Sequence, residues 1–188
     1  MLKSSSKMDL GNTKVLVVDD DLHALDLLVS VLSGFRIKEP VVCRDGEQAR
    51  EAISRQAFDL IILDAEMPGE DGFSVLSDTR AKTKSPNFTA PIMMMSAHTP
   101  IDRVYRARDA GANIVIKKPI VPAILLKRIE WLARDRRDFV ESDGFRGPDR
   151  RTKQGLAPEN QERRADALAL ISDSNRALSQ DDINSLFD

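Results

Sequence analysis

The chain has 188 residues with a formal net charge of -2, 41% hydrophobic and 31% charged residues, and one cysteine. That length suits a single ordinary domain with a tail, and the charge balance argues against a surface built throughout to grip nucleic acid or an anionic membrane. The lone Cys43 excludes an internal disulfide and a Cys-based zinc site, and reads as a small packed residue.

Residues 1–12 are expected to be disordered; they are polar, without an apolar stretch of signal-peptide length, and nothing later approaches a membrane span. A cytoplasmic protein is expected. Val15-Leu16-Val17-Val18 is a β-branched run that stops at Asp19, Asp20 and Asp21, as a buried strand feeding a polar loop would. Leu22, Leu25, Leu28, Val29 and Leu32 then recur at helical spacing up to Gly34. Residues 37–42 read as a second strand, 46–56 as a helix, and 60–63 as a third buried strand ending at Asp64. A turn cluster at 67–72 precedes a helix over 73–81, and residues 84–90 form a polar connection. The run 91–95 is a fourth strand ending in Ser96; a helix over 101–110, a strand over 113–116 and a long helix over 122–140 follow. Five β-α units predict an α/β fold, a parallel sheet with helices on both faces.

Ligands of such sheets bind beyond the carboxyl ends of the strands. Those ends collect Asp19, Asp20, Asp64, Ser96 and either Lys117 or Lys118. Carboxylates crowded together repel unless a cation joins them, and an oxygen set without His or Cys points to Mg²⁺. A carboxylate can also act as a nucleophile and become an aspartyl phosphate, with metal, lysine and hydroxyl neutralising the phosphoryl oxygens.

The segments Val17 to Asp21, Leu63 to Gly72, Ser96-Ala97, Gly111-Ala112 and Lys118-Pro119 together resemble the two-component response-regulator receiver domain, over about residues 13–137. The resemblance implies a five-stranded flavodoxin-like sheet in the order 2-1-3-4-5 over residues 13–140. It makes Asp64 the phosphoacceptor, gives Mg²⁺ to Asp19, Asp20, Asp64 and the backbone carbonyl of Glu66, and sets Ser96 and Lys118 on the phosphoryl oxygens. It also implies a cis bond before Pro119, and a histidine kinase or phosphotransfer protein as donor. The expected assembly is a monomer or a phosphorylation-dependent homodimer, with no nucleic-acid or membrane partner. Lys117 is expected to be exposed, Asp21 to cap the first helix, and Gly69 and Gly72 to serve backbone conformation.

Singly, each site residue has an ordinary explanation as a helix cap, turn hydroxyl or solvated lysine; their joint placement at successive strand ends argues for the site. Met93-Met94-Met95 reads as core, and neither His23 nor His98 has a partner at metal-ligand spacing. Glu66 and His98, each two residues past a site residue, are expected to tune dephosphorylation. Val115 stands where many receivers carry an aromatic switch residue, so coupling is expected through strand and helix backbone; Tyr105 reads as ordinary helix packing.

Residues 141–177 read as a flexible linker punctuated by Gly and Pro, with a short helix at 165–172 and a basic turn at 146–151. No room is seen after residue 140 for a winged-helix output domain, so a stand-alone regulator is expected. Residues 178–188 form a short amphipathic interaction helix, capped by Ser179 and Asp182, with Leu178, Ile183, Leu186 and Phe187 on one stripe. This segment resembles the N-terminal receiver-binding peptide of flagellar motor switch proteins. That resemblance implies a partner that is another receiver or a flagellar-motor component, docking on the fourth helix, fifth strand and fifth helix of this chain or a neighbour, and a role in chemotaxis or motility. Two alternatives remain. A haloacid-dehalogenase-type, Mg²⁺-dependent phosphohydrolase uses similar residues in a different order, and a phosphorylation-independent adaptor would not need them.

Overall fold

The computed structural model describes residues 9–142, 144–149 and 177–187. Five strands, β1 (Val15–Val18), β2 (Val41–Cys43), β3 (Leu60–Asp64), β4 (Ile92–Ser96) and β5 (Ile114–Lys117), form one parallel sheet in the order β2-β1-β3-β4-β5. Between and after them run α1 (Leu22–Gly34), α2 (Gly46–Arg55), α3 (Gly72–Ala81), α4 (Ile101–Asp109) and α5 (Pro122–Arg134). Every residue of β1, β3 and β4 is buried, as expected of strands covered on both sides, and Met93, Met94 and Met95 are core. Cys43 is buried and free. Leu25, Leu28 and Leu32 of α1 and Leu125, Ile129 and Leu132 of α5 turn their stripes to this core.

Two boundaries differ from the sequence reading. The second strand begins at Val41 and not at 37, because Arg36 and Glu39 take positive φ values of 69° and 45° and Pro40 offers no N–H to a ladder. Ile37 is buried as a core plug all the same. The last helix ends at Arg134 and does not reach 140. Asp135 accepts hydrogen bonds from the Arg137 backbone N–H (3.0 Å) and guanidinium (2.7 Å), and Arg137 stacks 4.8 Å over the Trp131 ring, which turns the chain away.

After that turn, part of the expected linker is paired: β6 (Phe139–Ser142) and β7 (Phe145–Pro148) form an antiparallel hairpin. It packs beside Arg80, a buried arginine that donates to the carbonyls of Gly111 (3.0 Å), Phe88 (2.6 Å) and Ala90 (2.9 Å) and to Asn113 Oδ1 (3.0 Å). Phe139 lies under the Arg80 guanidinium at 5.2 Å and meets the Phe88 ring at 4.7 Å. Gly111, at φ 96°, admits the Arg146 carbonyl oxygen into space that a Cβ would fill. Residues 1–8, the helix expected at 165–172 and the part of the linker from 150 to 176 lie outside the described residues.

The chain returns as α6 (Gln180–Ser185), with Ser179 and Asp182 forming the expected capping box. Leu178, Ile183 and Phe187 are buried and Leu186 partly so. The segment lies along β5, from Thr99 just before α4 to Arg137 just after α5. The Leu178 N–H donates to Thr99 O (2.9 Å), and Arg137 Nη1 donates to Phe187 O (2.9 Å).

Candidate functional site

Four strand ends and the loops after them supply the site. β1 delivers Asp19, β3 ends on Asp64 and β4 on Ser96, while Lys118 follows β5 directly. Parallel register makes this convergence unavoidable: Asp64 sits opposite Met95, and Ser96 opposite Lys117. Asp19 is 1% exposed and Asp64 3%.

Lys118 Nζ lies 2.7 Å from Asp19 Oδ2 and 2.9 Å from Asp64 Oδ2, bridging the two carboxylates. Asp64 Oδ1 is buried and has no hydrogen-bond partner among the described residues. Burial pushes the Asp64 carboxyl up to about 6, against the downward pull of Lys118 and with Asp19 and Asp20 adding repulsion. Burial alone would lower Lys118, but its hydrogen bonds to Asp19 and Asp64 win and raise it. One carboxylate oxygen of each of Asp19, Asp20 and Asp64 lies within 4.8 Å of the others. A hard-oxygen cluster holding a buried, unpartnered Oδ1 fits a small divalent cation such as Mg²⁺.

The surrounding loops are positioned by local chemistry. Asp21 caps α1, accepting from the His23 N–H at 2.8 Å, while its own N–H donates to Asp19 Oδ1 at 3.1 Å. Asp71 caps α3 by accepting from the Ser74 N–H at 3.0 Å. Gly69 has φ 80°, the loop conformation glycine favours, whereas Gly72 is needed for space: a Cβ there would overlap the Asp64 carbonyl oxygen. The Lys118-Pro119 peptide is cis. Lys117 is half-buried, its N–H occupied by the side chain of Gln180. Ser96 Oγ donates to the His98 carbonyl (2.5 Å) and accepts from the His98 N–H (3.2 Å).

Sequence reasoning missed Arg103 and Arg106, one helical turn apart on α4. Arg103 pairs with Glu66, whose other oxygen lies 3.5 Å from His98 Nδ1; Arg106 pairs with Asp71 at 2.7 Å and stacks 4.1 Å over Phe73. Arg103, Arg106, Glu66, Asp71 and Phe73 line, with Asp20 and Met67, a cleft of about 450 Å³ at the mouth of the site. A basic i, i+3 pair soon after the Ser96 strand end was the available signal.

Buried carboxylates, a bridging lysine and a strand-end hydroxyl thus meet at the carboxyl ends of a 2-1-3-4-5 parallel sheet. Residues 15–130 match the family described as response regulator receiver domain, and the chain belongs to that family. It is 35% identical over 121 residues to the regulatory protein VanRB of Enterococcus faecalis, covering 64% of this chain and 52% of that one. It is 31% identical over 185 residues to the transcriptional regulatory protein PrrA of Mycobacterium tuberculosis, covering 91% of this chain and 76% of that one. The chain thus spans about half the length of VanRB and also of PetR of Rhodobacter capsulatus, of which it covers 51%. Among solved structures, the chemotaxis response regulator CheY4 of Vibrio cholerae superposes with a TM-score of 0.60 at 28% identity, over 64% of this chain and 98% of that one. Among the described residues no helix is long and apolar enough to cross a membrane.

Proposed function

We propose that this receiver accepts a phosphoryl group on Asp64 from a histidine kinase or phosphotransfer protein and signals through protein contacts. The observation that carries this reading is the Asp64 carboxylate: buried at a strand end, one oxygen on Lys118 and the other without a partner among the described residues. Asp19, Asp20 and Asp64, with the backbone carbonyl of Glu66, would hold Mg²⁺. When bound, the cation supplies positive charge beside the phosphoryl oxygens.

The chain's own residues do the rest. A carboxylate oxygen of Asp64 bonds to phosphorus while the bond to the donor nitrogen breaks, and the donor leaves with its electron pair. Lys118 holds the carboxylate in place and then meets the charge carried by the transferred group. Ser96, whose hydroxyl has a single proton, turns it from the His98 carbonyl to a phosphoryl oxygen. Glu66 and His98, paired across the mouth, tune the lifetime of the product; unchanged lifetimes in Glu66→Ala and His98→Ala would contradict that role.

We further assign the chain a cytoplasmic signalling role in chemotaxis or motility. The likeness of residues 178–188 to the motor switch peptide supports the pathway, with another receiver or a flagellar-motor component as partner; unpaired Cys43 is compatible with a reducing compartment. Incubation with acetyl phosphate and Mg²⁺ tests the central reaction. The wild-type mass is expected to rise by one phosphoryl group, and Asp64→Ala is expected to gain none. Chelation of the metal should stop the gain. Steady release of phosphate from unrelated monoesters would favour a phosphohydrolase instead.

A further inference from the structure

β5 is an edge strand, and an unpaired edge leaves backbone donors and acceptors open to any passing strand. Here one side chain covers it. Gln180 Oε1 accepts from the Lys117 N–H at 2.8 Å, and Gln180 Nε2 donates to the Val115 carbonyl at 3.0 Å. A planar carboxamide with one acceptor and one donor takes the place of the peptide group a neighbouring strand would offer. Asn184 holds that amide in position, its Oδ1 accepting a second hydrogen bond from Nε2 at 3.0 Å. At the other contact point, Thr99 grips Leu178 twice: its carbonyl accepts from the Leu178 N–H (2.9 Å) and its hydroxyl donates to the Leu178 carbonyl (3.0 Å). Six helical residues cannot hold themselves in water, so the helix exists because Leu178, Ile183 and Phe187 are buried against the domain.

Both anchors adjoin residues of the site. Lys117 is bonded to Lys118, whose N–H donates to the Ser96 carbonyl at 2.8 Å. Thr99 lies three residues past Ser96, in the loop whose shape depends on the Ser96 hydroxyl donating to His98 O. That proton cannot serve His98 and a phosphoryl oxygen on Asp64 together. A phosphorylated Asp64 therefore withdraws the bond that shapes residues 97–99, the loop on which Leu178 is seated. Val115 carries no aromatic ring to relay the change, but its carbonyl is itself one of the tail's acceptors.

We propose that residues 177–187 are an intramolecular latch over the β5 edge between α4 and α5, which phosphorylation of Asp64 releases, baring that face for an amphipathic helix of a partner protein. The proposal rests on the phosphoacceptor reading above. Linkage makes it reciprocal: a variant that weakens the latch takes up phosphate more readily, by the factor with which phosphate weakens the latch.

The full-length chain carries its own reporters. The Lys117 amide is protected by Gln180, and Trp131, the one tryptophan, stacks under Arg137, which also holds Phe187 O. Acetyl phosphate with Mg²⁺ is the probe: its phosphorus–oxygen bond breaks as an Asp64 oxygen bonds to phosphorus, and acetate leaves. Phosphorylation is expected to speed hydrogen exchange at the Lys117 amide by at least about fivefold and to shift Trp131 emission. Ile183→Asp and Gln180→Ala should show the faster exchange before phosphorylation and a higher phosphorylated fraction at limiting acetyl phosphate. A full mass gain at Asp64 with Lys117 protection unchanged or increased overturns the latch and leaves the phosphoacceptor reading standing. Absence of any Asp64-dependent mass gain overturns both.

Discussion

Asp64 holds its proton more tightly in the folded chain than in the unfolded one, because burial carries it from 3.8 to about 6. The folded state binds the extra proton within that window, so this group's contribution to stability is complete below 3.8 and is lost as pH rises through 6. Asp64→Asn removes the cost of a buried charge while Asp19 still pairs Lys118. In metal-free buffer the variant should be more stable than wild type by about 1–3 kcal/mol at neutral pH, the gain fading as pH falls below the window. Urea titrations at several pH values measure this; a gain that persisted in acid would contradict it. Gly72 makes a second prediction at this scale. Gly72→Ala drives a Cβ into the Asp64 carbonyl oxygen, so it should cost about 2 kcal/mol or more and slow phosphoryl uptake, whereas Gly69→Ala, with open space but positive φ, should cost only about 1 kcal/mol. Thermal melts and acetyl phosphate kinetics on the two variants separate these effects.

At the level of elements, Arg80 ties the end of α3 to the connection before β4 and to the start of β5, through the carbonyls of Phe88, Ala90 and Gly111. Arg80→Met would leave buried carbonyls without donors and is expected to lose about 3 kcal/mol or more, with the loss read as a lowered denaturation midpoint. Three of the five parallel strands, β1, β3 and β4, were legible in the sequence because an apolar run ending in Asp or Ser is the same signal for strand and site. The entry to the second strand was not: Arg36 takes its positive φ in the cap that ends α1, where its N–H donates to Ser33 O and the Ile37 N–H to Leu32 O, without the glycine that usually marks such a cap. The last helix overran in the reading because residues 135–140 are composed much like the helix before them; the turn arises from Asp135 and Arg137 binding each other. The β6-β7 hairpin was hidden behind Gly and Pro, although an Asp143-Gly144 pair between two phenylalanine-led runs is a hairpin signal.

For the whole molecule, the site residues named from the sequence come from four strand ends, and the fold brings Lys118 into direct contact with Asp19 and Asp64. What the sequence could not show was the cover laid by Arg103 and Arg106 on α4, or the two-point grip of Gln180 on β5, because each depends on side chains distant in sequence meeting at a surface. The tail's stripe was legible from periodicity alone, and its seat on the domain is a tertiary fact. The central claim is that Asp64 becomes an acyl phosphate. Borohydride reduces such a linkage to the alcohol, so phosphorylated protein treated in this way and sequenced by mass spectrometry should carry homoserine at position 64. Homoserine elsewhere, or phosphate retained on Ser96 or His98 with Asp64 unmodified, would contradict it.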